Sequence, residues 1–210
     1  MTPYLRASGA DPFKPAASGP LVIDAEALAG LHTGDVSVPI WLALPAPDAL
    51  DPATLAAVPV IAGVVLEATS SRADVEHLAA RLAVAEALGE WPDGALRVVA
   101  RIATAKGALG LAGLGAGHPR LAGIAWDADA LAADLGAASP RGPGGALIAP
   151  LATVRSAVVV AAAAAGVTAI DSAFAGDDDA FIRDAEAART DGFNAKFALT
   201  AEQAAALGAL

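Results

Sequence analysis

The chain has 210 residues, a formal net charge of −10 and no cysteine. With only 13 Lys and Arg it lacks the clustered positive charge that nucleic-acid phosphates need, and without thiols it has neither disulfides nor thiolate metal sites. The length suits one domain spanning residues 1–210, with a core able to bury about 70% of the surface the unfolded chain exposes.

Hydrophobic residues make up 56% of the chain and aromatics 4%, so its core is built from Ala, Val, Leu and Ile. Such a core packs helices closely against strands, as in an α/β layer design. The first twenty residues contain Arg6, Asp11, Lys14 and four prolines, too broken for the apolar stretch of a secretory leader. The longest apolar run, 156–167, is too short to span a bilayer. We therefore expect a cytoplasmic protein with no membrane association.

In chain order, Tyr4-Leu5 is a weak first apolar run, and Leu21-Val22-Ile23 is a second, ending in Asp24 and Glu26. Val36 to Leu44 is a third, and Pro59 to Leu66 a fourth, followed by Glu67. Residues 97–102 and 120–126 are the fifth and sixth, joined by a Gly- and Ala-rich segment long enough to cross over as a helix. Val167 to Ile170 is the seventh, ending in Asp171, and Phe193 to Leu199 is the eighth. Continuous β-branched runs without polar alternation fit strands buried on both faces, as in a parallel sheet.

Helical signals fall between these runs. Ser71 to Leu88 opens on a Ser cap, repeats apolar residues at a 3.6-residue period and stops at Gly89. Leu151 to Ala165 ends at Gly166, and Asp177 to Asp191 begins with acids that suit the positive end of a helix dipole. Thr200 to Leu210 carries a capping box, Thr200 with Gln203. Eight strands alternating with helices predict a compact (β/α)8 barrel with shortened N-terminal helices, smaller than the usual ~250 residues. An open doubly wound sheet is the alternative, but Gly107-x-x-Gly110-x-x-Gly113 and Gly142-x-Gly144-Gly145 lack the nucleotide-loop spacing and read as packing and loop glycines.

The candidate chemistry is a set of carboxylates after predicted strands: Asp24, Glu26, Glu67, Asp127, Asp129 and Asp171. Converging carboxylates with waters hold Mg²⁺, which takes oxygen ligands, but Asp after a strand also caps the next helix. Arg101, inside the fifth run, shares a side with Ala103 and points into the barrel if Ala103 does; buried there it is expected to pair with one of these acids, because a buried guanidinium needs a partner. His32, His77 and His118 show no metal spacing, and no serine-nucleophile motif occurs.

The segments GVVLEATSSRADVEHLAARL, RVVARIATAKGALGL, LAGIAWDADALAADLGA, AAGVTAIDSAF and DGFNAKFALTAEQ follow one another as in the HpcH/HpaI aldolase and citrate lyase β-subunit family. SGPLVIDAEAL resembles that family's second strand, and the resemblance covers most of residues 18–205. It implies a TIM barrel, Mg²⁺-dependent carbon–carbon bond chemistry on 2-oxo acids or CoA thioesters, and a trimer-type homo-oligomer. The matched positions nonetheless depart from the family's functional residues. The family's metal-binding Glu and Asp correspond to Ala103 and Ala130, and its substrate Arg to Pro39. Its Pro-Lys pair corresponds to Glu67-Ala68, its second-strand acid to Ala27, and its Ile-His-Pro to Leu199-Thr200-Ala201.

An alanine has no lone pair to give an ion. We therefore expect no metal or cofactor at the family positions and no catalytic activity. The expected role is a partner subunit in a homo- or hetero-oligomer, a regulator, or a binder of a CoA ester or small organic acid. The residues left as catalytic candidates are Asp24, Glu26 and Arg101. The alternative is a divergent Mg²⁺-dependent lyase with a site rebuilt from Glu67, Asp127 and Asp129.

Overall fold

The computed structural model describes residues 1–6, 19–25, 38–58 and 60–210. Eight parallel strands follow one another around a closed barrel in sequence order. They are β1 (Thr2–Arg6), β2 (Leu21–Asp24), β3 (Ile40–Leu44), β4 (Ile61–Leu66), β5 (Arg97–Ile102), β6 (Leu121–Trp126), β7 (Thr168–Asp171) and β8 (Ala195–Ala198). Closure is made by β1 against β8, with Tyr4 beside Phe197 and Leu5 beside Ala198. The (β/α)8 barrel expected from the eight runs is the observed fold.

The described helices are α1 (Pro52–Ala56), α2 (Arg72–Leu88), α3 (Ala105–Leu114), α4 (Ala128–Asp134), α5 (Ala149–Ala165), α6 (Asp178–Asp191) and α7 (Ala201–Ala209). The third strand is shorter than its apolar run: it starts at Ile40, after Pro39, which has no N–H to give a ladder. The eighth run is trimmed at both ends by the loops around β8. Two short helices had no sequence expectation, α1 and α4. Each starts on an aspartate that accepts backbone N–H bonds, Asp51 from Ala53 and Thr54, and Asp127 from Asp129 and Ala130. Their five and seven residues are too few for a 3.6-residue period to show. Among the described residues, no helix is long and apolar enough to cross a membrane.

The predicted capping devices form. In α2 the Asp74 carboxylate accepts the Ser70 and Ser71 N–H groups at 2.7 and 2.9 Å. In α7 the Thr200 hydroxyl accepts from Gln203 N–H, while the Gln203 side chain reaches back to the N–H of Leu199, one residue before the cap. The glycines of α3 are packing glycines: a Cβ at Gly107 or Gly110 would run into the Thr69 or Ser70 carbonyl. Their absence of side chains lets α3 lie directly on the loop that leaves β4.

Two apolar layers hold the barrel. Tyr4, Trp41, Val65, Val99, Ile170 and Phe197 belong to a smaller inner cluster, and Tyr4 meets Trp41 and Phe197 edge-on at 6.0 and 5.9 Å. A larger cluster, including Leu66, Leu78, Leu82, Ile124 and Phe181, lies between strands and helices. Successive residues of a strand face opposite sides, so each strand feeds both layers.

Candidate functional site

The two-residue period that sorts the layers also builds the mouth. Two positions beyond the inner residues Tyr4, Val22, Val65, Val99 and Ala125 stand Arg6, Asp24, Glu67, Arg101 and Asp127. Five of the eight strands thus place a charged side chain at the C-terminal end of the barrel, the end where barrel loops gather their chemistry. The charges alternate and join. Arg6 bridges Asp24 and Glu67 at 3.2 Å each. Arg101 bonds Glu67 through one terminal nitrogen and Asp127, at 2.7 Å, through the other.

Arg101 is the most buried member of this chain, its side chain 8% exposed against 57% for Asp24 at the outer end. Its guanidinium lies 5.1 Å from the centre of the Phe197 ring, a cation–π contact on the barrel floor. Its Nε has no hydrogen-bond partner among the described residues. For Arg6, burial opposes the charge, but Glu67 and Asp24 outweigh it and raise its pKa above the usual guanidinium value. Asp127 is shared between two tasks: Oδ2 meets Arg101 while Oδ1 caps α4. Its cap reading and its mouth reading both apply.

The other sequence candidates fall elsewhere. Asp129 is exposed on the first turn of α4, Ala130 follows it, and Ala103 stands two residues beyond Arg101 at the start of the loop into α3. Glu26, Ala27 and His32 lie outside the described residues. His77 is half-exposed on α2, 3.3 Å from Asp48. Asp171 does not join the mouth. The last residue of β7, it faces the helices and lies buried in the outer layer, accepting from Trp126 Nε1 at 2.8 Å.

Asp171 belongs to a second charged chain that sequence reasoning missed. Lys196 on β8, 1% exposed, has its Nζ 2.7 Å from Asp171, 2.8 Å from Asp184 and 2.6 Å from the Ser172 carbonyl oxygen. Arg155 of α5 reaches Asp171 and Asp191, and Arg141 reaches Asp184 at 2.5 Å. Burial pushes the Asp184 carboxyl up, but Lys196 and Arg141 outweigh it and hold its pKa below the usual value. The Ser172 hydroxyl in turn accepts from the Ala128 N–H, next to Asp127. Lys196 therefore anchors the loops that carry one side of the mouth. A lysine inside the apolar run Phe193–Leu199 was the available signal, since a lysine there must be paired.

Mg²⁺ asks for several oxygen ligands around one point. Among the described residues, no three His, Cys, Asp or Glu side chains converge in that way. Glu67 and Asp127 converge on a guanidinium instead, and Ala103 and Ala130 supply no oxygen from their side chains. The described residues therefore do not fit an Mg²⁺ ion while Arg101 stands between the acids.

No protein-family model matches the sequence, and no curated protein matches it either. Solved structures do. The citrate lyase β subunit of Mycobacterium tuberculosis, complexed with oxaloacetate and magnesium, is 25% identical with a TM-score of 0.78, over 98% of this chain and 94% of that one. Protein CitE of the same organism, in complex with magnesium and acetoacetate, has the same identity and TM-score over 98% and 88%. RipC from Yersinia pestis is 24% identical with a TM-score of 0.72, over 100% and 94%, a likeness of fold. These likenesses fit the HpcH/HpaI aldolase and citrate lyase β-subunit family that the sequence motifs resemble.

Proposed function

We propose that this chain keeps the citrate lyase β-like barrel as a non-catalytic scaffold. It serves in the cytoplasm as a partner subunit, a regulator or a binder of a small acyl compound. The observation that carries the reading is Arg101 held between Glu67 and Asp127 at the barrel mouth. Metal-assisted carbon–carbon cleavage needs a cation with open positions to polarise the substrate carbonyl. A guanidinium has no open coordination position, and here both of its terminal nitrogens are spent on carboxylates. The alanines at 103 and 130 support the same reading, as does Pro39 where the family has its substrate arginine. Exposed Leu109 on α3 and Val160 on α5, helices that touch each other, offer apolar surface to a neighbouring subunit.

The test is a lyase assay on the purified chain with citryl-CoA, malyl-CoA and short 2-oxo acids, with and without 10 mM Mg²⁺. The expected result is no turnover above buffer. Mg²⁺-dependent cleavage that disappears in Glu67→Gln would overturn the reading and establish the rebuilt-site lyase. That second reading draws on one observation, the approach of Glu67 and Asp127 to a common cation. Size-exclusion chromatography and co-purification from native cells test the subunit role, and a thermal-shift panel of CoA esters and small organic acids tests the binder role.

A further inference from the structure

We infer that the N-terminal end of the barrel carries a binding site for a small oxyanion ligand, a carboxylate or phosphate group on a compact apolar body. A cavity of about 620 Å³ opens there, at the seam where β1 closes against β8. Ligand cavities run from roughly 300 to 1,000 Å³, so its size suits a small molecule. It lies at the end of the barrel opposite the charged mouth. Thr2, Arg189 and Asn194 supply its polar lining, and Pro3 and Phe193 are part of its apolar wall. Among the described residues no acidic side chain lines it, although the chain has 23 Asp and Glu against 13 Lys and Arg.

Asn194 is locked in place by both neighbouring strands. Its Oδ1 accepts the Ala169 N–H at 3.1 Å, its own N–H donates to the Ala169 carbonyl, and its carbonyl accepts the Thr2 N–H. Only the side-chain oxygen can accept from Ala169, so the Nδ2 amide group is turned the other way. It has no acceptor among the described residues and is left to the cavity. Arg189, in the last turn of α6, gives one terminal nitrogen to the Leu210 carbonyl oxygen. Among the described residues it has no acidic side-chain partner. The ends of α6 and α7 carry partial negative charge, which opposes an anion. Their end carbonyls are largely taken: Ala188 and Arg189 accept from the Gly192 N–H, and Leu207 from the Met1 nitrogen. The full charge of Arg189 outweighs what remains. A guanidinium, an amide donor and the Thr2 hydroxyl around an acid-free cavity suit an oxyanion, because hydrogen bonds between charged partners are the strong ones.

The experiment titrates benzoate, phenyl phosphate and uncharged benzyl alcohol against the native chain by calorimetry, with thermal shifts alongside. At least one of the two anions is expected to bind and to raise the Tm, since it bridges the seam only in the folded chain. The tighter of the two identifies the head group. Asn194→Asp keeps the oxygen that holds the Ala169 N–H but puts negative charge where the amide donor stood. That variant and Arg189→Gln should each weaken binding by about tenfold or more, the cost of losing a hydrogen bond to a charged group. Arg72→Gln, which removes an exposed arginine on α2, should leave binding unchanged. The inference is overturned if neither anion binds the native chain, or if benzyl alcohol binds as tightly. Binding that either Asn194→Asp or Arg189→Gln leaves unchanged, or that Arg72→Gln weakens equally, also overturns it. If Asn194→Asp does not fold, Arg189→Gln decides, because that side chain is exposed. The lyase assay reads the mouth, so its outcome and this one are separable.

Discussion

Replacing Lys196 with methionine tests whether the buried chain on the outer side of β7 and β8 stabilises the barrel. Methionine fills a similar volume, so the change removes charge with little cavity. It strips Asp171 and Asp184 of contacts at 2.7 and 2.8 Å and leaves the Ser172 carbonyl oxygen without its bond to Nζ. Breaking a buried ion pair by removing one partner costs about 3–5 kcal/mol, because the remaining charge stays buried. Here each acid keeps another cation, Arg155 for Asp171 and Arg141 for Asp184, which places the loss near the lower end, about 3 kcal/mol. For a chain of this size that corresponds to a Tm lower by roughly 6–12 °C, at about 2–4 °C per kcal/mol.

The loss also has a pH signature. Asp184 has a depressed pKa in the folded chain, so its stabilising contribution is present above the ordinary Asp value, about 3.9, and fades as pH falls through the folded value. Without Lys196 that depression weakens, and the difference between native chain and variant should shrink in acid. Urea unfolding at pH 7 and at about pH 3, below the ordinary Asp value, measures both. A difference below about 1 kcal/mol at pH 7, or one that grows in acid, would refute the reasoning, since a surface-like pair is worth about that little.

Arg120→Ala should cost about 3 kcal/mol in urea unfolding, because it leaves Glu86, only 2% exposed, without its 2.6 and 2.7 Å partner. Burial pushes the Glu86 carboxyl up, but Arg120 and the Leu96 and Gly94 N–H groups hold it below its usual value. Its contribution is therefore present above about pH 4.3 and lost as pH falls further. Gly107→Ala should cost about 1–3 kcal/mol by forcing α3 off the Thr69 carbonyl, and calorimetry should show it as a lowered Tm. Thr104→Ala removes the hydroxyl that accepts the Gly107 N–H at 3.1 Å and should cost about 1 kcal/mol in the same measurement.

The barrel was legible because its signals are local and repeated. Apolar runs mark strands buried on both faces, and capping residues such as Ser71, Thr200 and Asp177 sit where a helix begins. Strand parity put Arg101 on the side of Ala103, but only the structure, with Val99 in the inner layer, showed that this side faces the barrel. The helix α4 was not legible, since seven residues hold too little periodicity. Asp171 looked like the other strand-end acids but follows the inner residue Ile170 by one position, not two, so its side chain falls on the helix side.

What the sequence determined by itself is the eightfold alternation, the caps, and the presence of alanine, without a side-chain oxygen, at positions 103 and 130. These depend on one residue's identity or on neighbours a few positions apart. Only the tertiary structure decided the pairing: that Glu67 and Asp127 close on one guanidinium, and that Lys196 gathers Asp171 and Asp184 behind the barrel wall. Those partners are separated by 12 to 34 residues and come from different strands and helices. Their meeting is fixed by the closure and stagger of the whole barrel, which no short stretch of chain encodes.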